Sequence, residues 1–329
     1  MIKPGSQRGT IRPPRFGVML PVFDSMGAGI PPVTETARMA EDLGFDTAWI
    51  GDHLFFHQPN YECLISVAFA LAVTQELRVG SGVVLPALRD PVPLAKQLLT
   101  LEVASNGRLE VGVGVGGEFA PEWEAVGANR ATRGVATSEF LDFFGKCLGG
   151  GPLDYTGTCI SVNAPPFSPL PSEGQKPPVW VGGRSRRAME RATKYGTGWL
   201  AQWHSPRRVR EARAELEVIA AAEGKSLPRV GMVVFVNVGS PAQARAEARS
   251  FVEQHHRLPF EKLEKWYLTG PKEHVASGLA ELSAAGVEDF VLYPACEDPS
   301  TQFSELAEIR QSVLSSDSTP KGMSVSDQR

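Results

Sequence analysis

A chain of 329 residues, 42% hydrophobic and 21% charged, has the composition of an ordinary globular protein and enough apolar material for a full core. Its formal charge of −4 gives no basic footprint for nucleic acid or an anionic membrane surface, and no apolar run approaches the roughly 18 residues that cross a bilayer. Cys63, Cys147, Cys159 and Cys296 are scattered without CxxC spacing, and the basic start lacks an apolar signal core, so reduced thiols and a cytoplasmic location are expected.

Residues 1–14 read as a flexible arm, and residues 15–22 (RFGVMLPV) as the first strand. Pro31 and Pro32 then open a helix with Val33, Ala37, Ala40 and Leu43 on one face, closed by Gly44. The second strand, 46–51, runs directly into Asp52 and His53. The same unit recurs as helix 64–75, strand 77–85, helix 92–104, strand 108–115 and helix 131–148. Residues 149–176, rich in Gly, Pro and Ser, read as a long inserted loop with a short hairpin around 155–162. Alternation resumes with strand 178–182, helix 184–194, strand 197–201, helix 206–223 and strand 230–238. Helical segments near 241–256 and 272–285, strand 287–293 and a last helix near 303–314 follow, and 315–329 is polar, aperiodic and expected to be disordered.

Eight strands alternating with at least eight helices predict an α/β fold, a (β/α)8 TIM barrel with an inserted loop segment after the fourth helix, in one catalytic domain over 15–314. An open doubly wound sheet is the rival, but a strand near each end of the chain favours closure. In a barrel, function sits where strands end and βα loops begin.

Asp52 and His53 occupy such a place, where an imidazole can exchange protons near neutral pH. The alternative is a core histidine hydrogen-bonded to Asp52. His53 and His57 have i, i+4 metal spacing, but without an intervening HExxH glutamate or a third ligand no metal is expected. Residues 112–117 match GxGxxG, yet Glu118-Phe119-Ala120-Pro121 follows where a dinucleotide-binding helix should be under way. Gly116 and Gly117 instead let a ligand approach the backbone, or ease a barrel corner, and Glu118 is the nearest acid. Gly182-Gly183-Arg184-Ser185 joins a strand to a helix start, with Arg186 and Arg187 beside it, the chemistry of a phosphate seat. Gln202, Trp203 and His204 end the sixth strand at the expected pocket mouth.

RFGVMLPVF, ARMAEDLGFDTAWIGDHL, LRVGSGVVLPALRDPVPLAKQLLTLEVASNGRLEVGVGVGGEFAPEWEAVG and PPVWVGGRSRRAMERATKYGTGWL, in this order, resemble the luciferase-like monooxygenase superfamily over most of residues 15–310. Its members are (β/α)8 barrels that use FMN or the deazaflavin coenzyme F420. Gly51-Asp52-His53 and the third-strand segment are more similar to the F420-dependent oxidoreductase branch. That resemblance implies hydride transfer between the deazaflavin C5 and a small organic substrate, with His53, assisted by Asp52, as the catalytic base or stabiliser. It implies a non-proline cis peptide at Gly82–Val83 behind the ring, Gly116 and Gly117 against the cofactor, and Gly182, Gly183, Arg184 and Ser185 on its phosphate. The cofactor's anionic lactyl-glutamate tail would suit Arg184, Arg186 and Arg187. Phe23, His57, Trp203 and His204 are the expected substrate-pocket residues.

Two departures stand out. Sugar-phosphate and alcohol dehydrogenases of the branch carry tryptophan where this chain has His57, and their catalytic glutamate falls at Gly117, one place before Glu118. Those substrates are therefore disfavoured. The alternative function is an FMN-dependent monooxygenase using O2 and reduced flavin from a partner reductase. A non-catalytic flavin-binding barrel would be marked by loss of the second-strand histidine, which is present. Family members often form homodimers, though no exposed apolar stripe in the sequence marks such a surface.

Overall fold

A computed structural model describes residues 13–317; residues 1–12 and 318–329, most of the expected arm and tail, lie outside the described residues. The strands are β1 (Arg15–Met19), β2 (Thr47–Ile50), β3 (Arg78–Ser81), β4 (Leu109–Val113), β5 (Leu153–Thr156), β6 (Ser161–Ala164), β7 (Val179–Gly182), β8 (Gly198–Gln202), β9 (Arg229–Val238), β10 (Tyr267–Gly270) and β11 (Asp289–Pro294). The helices are α1 (Val33–Asp42), α2 (Cys63–Val73), α3 (Pro91–Ala104), α4 (Ala120–Ala125), α5 (Arg133–Cys147), α6 (Arg186–Tyr195), α7 (Pro206–Glu223), α8 (Pro241–Phe251), α9 (Lys272–Ala284) and α10 (Phe303–Asp317). The last runs past the expected boundary at 314.

Parallel pairing follows the order β9-β11-β1-β2-β3-β4-β7-β8, and β8 pairs back onto β9, so eight strands close into the expected barrel. β5 and β6 form the hairpin of the inserted segment, with Tyr155 opposite Val162. β10 is the departure from expectation. Phe235 and Val236 pair with β11 on one edge and with Tyr267 and Leu268 on the other, so β10 takes the edge that β8 vacates after Val233. Four residues of strand following a run of short turns left no alternating pattern to read.

Every barrel strand buries both faces, as a parallel sheet wrapped in helices must. Ala48, Ile50, Val111, Val179, Trp199 and Val234 belong to the large cluster beneath the helices. Their alternates Trp49, Trp180, Leu200, Val233 and Val291 form a second cluster in the barrel interior. Glycine makes room for the two tryptophans. A Cβ on Gly80 would lie 2.7 Å from the Trp49 ring, and one on Gly198 would lie 2.2 Å from that of Trp180. The indoles meet edge to face at 6.0 Å, Trp49 donating to Thr47 Oγ1 and Trp180 to Glu110 Oε2.

Glu110, fully buried, also accepts from Arg78 (2.6 Å) and Arg15 (3.2 Å). Arg15 donates to Asp289 at 2.5 Å, and Arg229 lies 2.8 Å from the other Asp289 oxygen. First and last barrel strands are thus tied at the N-terminal face, leaving the opposite face to the loops. Among the described residues no helix is long and apolar enough to cross a membrane.

Candidate active site

The chain leaves β2 through Gly51, and the ring of Phe23 lies where a Cβ on Gly51 would sit, at 2.6 Å. Asp52 is buried and turns away from His53. Its oxygens take two 2.7 Å bonds from Arg89 and one of 2.8 Å from the Leu85 backbone N–H. Arg89 reaches on to Glu62, which caps α2 by accepting from Ile65 N. Burial pushes the Asp52 carboxyl above its ordinary range, opposed by the Arg89 guanidinium and the Leu85 N–H. The aspartate that the sequence sets beside the candidate histidine is therefore a tie among the β2 end, the loop after β3 and the start of α2.

His53 meets a different acid. Its Nδ1 lies 3.1 Å from both carboxylate oxygens of Glu122, a fully buried residue of α4. Asn60 fixes the backbone by donating to the His53 carbonyl at 2.7 Å. With Nδ1–H directed at Glu122, Nε2 is the nitrogen left for chemistry. Trp123, 2% exposed, packs with Leu85 and Leu88 and so anchors the short helix that carries Glu122. Glu118, the acid singled out from sequence, is exposed in the loop one turn earlier. The available signal was Pro121, which opens α4 and turns the next residue inward.

Ring contacts join most of the expected pocket residues. His53 stacks on Phe56 at 4.3 Å and meets Phe23 edge-on at 6.1 Å. Phe56 contacts His57 (4.9 Å) and His255 (5.1 Å), while Phe119 packs on His57 at 4.9 Å. His255 touches His256 (4.9 Å), which meets Trp203 at 5.5 Å. The Arg184 guanidinium lies 5.1 Å from the Trp203 ring. His204 sits apart, against Trp199 at 5.5 Å, with Nδ1 2.8 Å from the Gln202 carbonyl oxygen.

His255 and His256 were not singled out by sequence. They fall in a π-helical turn, Val252–His256, that widens the end of α8, an irregularity common at functional sites. Burial pushes His255 far below the ordinary histidine range and His256 down to about 4, so both are neutral near pH 7. Trp203 adopts φ +57°, a left-handed conformation costing roughly 1–3 kcal/mol for a bulky residue, which turns its indole to the mouth. Its Nε1, the His256 Nε2 and the Tyr267 hydroxyl are buried without hydrogen-bond partners.

Between β3 and β4 the Gly82–Val83 peptide is cis, where the family resemblance implies it. The Val83 side chain occupies space cleared by three glycines. A Cβ on Gly114 would fall 2.3 Å from it, and on Gly112 or Gly182 at 3.2 Å. Gly116 and Gly117 follow with φ of +55° and +115°, and Gly183 with +131°. Ser185 caps α6 by accepting from Ala188 N, leaving the first N–H groups of the helix free for an anion. Arg186 is committed to Glu190 (3.0 Å) and Glu215 (3.2 Å). Among the described residues no three His, Cys, Asp or Glu side chains converge as a metal site.

The closed parallel barrel, with His53 and the start of α6 at the C-terminal ends of its strands, has the architecture of (β/α)8-barrel enzymes. The chain belongs to the luciferase-like monooxygenase family, whose model matches residues 15–316. It is similar to the 5,10-methylenetetrahydromethanopterin reductase of Methanopyrus kandleri, 24% identical over 62% of this chain. It spans only 60% of that reductase's own length. An F420-dependent secondary alcohol dehydrogenase shares the fold with a TM-score of 0.81 at 17% identity, over 92% of this chain and 99% of that one. A long-chain alkane monooxygenase does so at 0.76 and 14% identity, over 95% and 94%. A dehydrogenase named for F420 and an alkane monooxygenase thus share this fold.

Proposed function

We infer that this chain is a coenzyme F420-dependent oxidoreductase that moves a hydride to or from a small organic substrate. The observation that carries the reading is His53, backed by the buried Glu122 and standing at the ring-lined mouth with Nε2 free. The mouth suits a flat ring with polar edges. The orphaned Trp203 Nε1 and His256 Nε2 would meet such edges, and the glycines at 116, 117 and 183 let the ring and its phosphate come close to the backbone. Gly183, Arg184, Ser185 and the α6 N-terminus would hold the phosphate, with Gly82 and Val83 behind the ring.

When bound, the deazaflavin supplies a carbon that carries hydride and reacts poorly with O2. Where the substrate gains or loses negative charge in the reaction, Nε2 of His53 would supply or take the matching proton. Glu122 fixes the tautomer and stabilises the imidazolium. Phe56, Phe119 and Trp203 exclude water from the transfer. A cytoplasmic enzyme, alone or as a homodimer, fed by an F420 reductase, fits this chemistry.

An FMN-dependent monooxygenase supplied by a flavin reductase is the competing reading, since the α6 anion seat serves either cofactor. Titration with each cofactor separates them: deazaflavin binding is expected, and micromolar binding of reduced FMN with none of the deazaflavin would overturn the reading. His53→Ala should lower turnover by about 10²–10⁴-fold with cofactor affinity nearly unchanged. Unaltered turnover would remove His53 from the chemistry.

A further inference from the structure

Beside the His53–Glu122 pair, the mouth holds a second imidazole that the proposed reaction does not use. His255, 6% exposed, lies in the π-turn within a nest of rings. It stacks on Phe251 at 4.9 Å, meets Phe23 edge-on at 5.2 Å, and touches Phe56, His256 and Tyr293. Its Nδ1 lies 3.1 Å from the buried Ser25 Oγ, and Ser25 in turn hydrogen-bonds the Tyr293 hydroxyl. As in His53, one ring nitrogen is held from behind and Nε2 is the other.

The π-turn is fastened to the loop that carries His53. Gln58 donates to the Gln254 carbonyl, and Phe56 stands between the two imidazoles, 4.3 Å from His53 and 5.1 Å from His255. Phe56 and Phe119 are partly exposed, so flat rings line the approach. Burial keeps His255 neutral near pH 7, reinforced by His53, His57 and His256 around it. Charged side chains stand at the margins: Glu122 behind His53, Arg257 beside His57 and Arg184 over Trp203. An aromatic lining with a few fixed polar points is how pockets read small molecules.

We propose that His255 is a specificity-determining residue, its Nε2–H donating to the carbonyl or hydroxyl oxygen of an uncharged aromatic substrate that lies against Phe56. Tyr293 donating to Ser25, and Ser25 to Nδ1, would leave the proton on Nε2. The inference rests on the oxidoreductase reading above and gives its substrate a class.

The test is a titration of the full chain, with and without deazaflavin, against acetophenone, ethylbenzene, benzoate and 2-octanone, followed by NMR of each probe. Acetophenone should bind about tenfold or more tighter than the other three, since a site built around a hydrogen bond rejects analogues that lack it. His255→Phe keeps a ring in the nest and removes both nitrogens. It should erase the advantage over ethylbenzene while ethylbenzene binds as before. Ser25→Ala leaves every ring in place and should weaken acetophenone alone, so the assignment stays testable if His255→Phe does not fold. Tighter binding of benzoate or 2-octanone overturns the substrate class, as does failure of all four probes to bind. An advantage untouched by His255→Phe, or by Ser25→Ala where that variant stands in for it, overturns the role of His255. Deazaflavin binding without a preference for acetophenone overturns this inference and leaves the cofactor reading intact. The preference in a chain that binds no deazaflavin keeps the subsite and overturns the cofactor reading.

Discussion

Both carboxylate oxygens of Glu122 stand 3.1 Å from Nδ1 of His53, with Glu122 fully buried and its partner half-buried at the barrel mouth. The pair sets a carboxyl group behind the imidazole and leaves Nε2 as the ring nitrogen without that partner. Glu122→Ala should cut turnover by about 10- to 100-fold and cost roughly 1–3 kcal/mol, because a buried N–H loses its acceptor. Glu122→Gln restores an acceptor without the charge. Unfolding should recover in that variant while turnover stays low; full recovery of turnover would reduce Glu122 to a packing role.

Asp52 has the opposite character. Breaking its two-bond pair with Arg89 leaves that largely buried guanidinium with Glu62 alone, so Asp52→Ala should lose about 3 kcal/mol in denaturant unfolding. A loss under about 1 kcal/mol would contradict this tie among β2, β3 and α2.

The histidines of the π-turn predict a pH dependence. His256 refuses a proton until about pH 4, whereas an unfolded histidine accepts one near 6.5. Unfolding therefore takes up protons between those values, and stability is full above pH 6.5 and falls as pH drops through 4. The contribution is on the order of 3 kcal/mol. Urea midpoints at pH 7 and pH 5 should differ less in His256→Gln than in the parent chain; identical differences would show that His256 titrates normally.

Val83 and Gly114 offer a test of complementary volume. Gly114→Ala drives a methyl to 2.3 Å from a Val83 methyl and should cost about 1–3 kcal/mol along with cofactor affinity. Val83→Ala in the same chain should restore much of both, a non-additivity that independent sites do not show. Additive losses would mean the two side chains do not share that space.

The barrel was legible because burial on both faces writes itself into a parallel strand: VWVG and TAWI need no partner to be read. The site was legible only in part. His53, Gly183 and Trp203 announce themselves as strand-end residues, and their positions follow from the fold. The acid beside His53 lies 69 residues away on a six-residue helix, and before Trp123 is packed only Pro121, at the start of that helix, points to Glu122 over Glu118. Asp52 and Arg89, 37 apart, are likewise joined only by the folded loops. The π-turn escaped because its residues read as ordinary helix, the extra width arising from backbone bonding alone.

The salt bridge between Arg15 and Asp289 joins residues 274 apart, and the strands beginning with them close the barrel. A ribosome delivers Arg15 274 residues before Asp289. Until β11 is made, β1 therefore presents one unpaired edge, its Phe16 and Val18 awaiting Phe290 and Leu292. Closure of the barrel waits on β11, and until then that edge is open to a wrong partner.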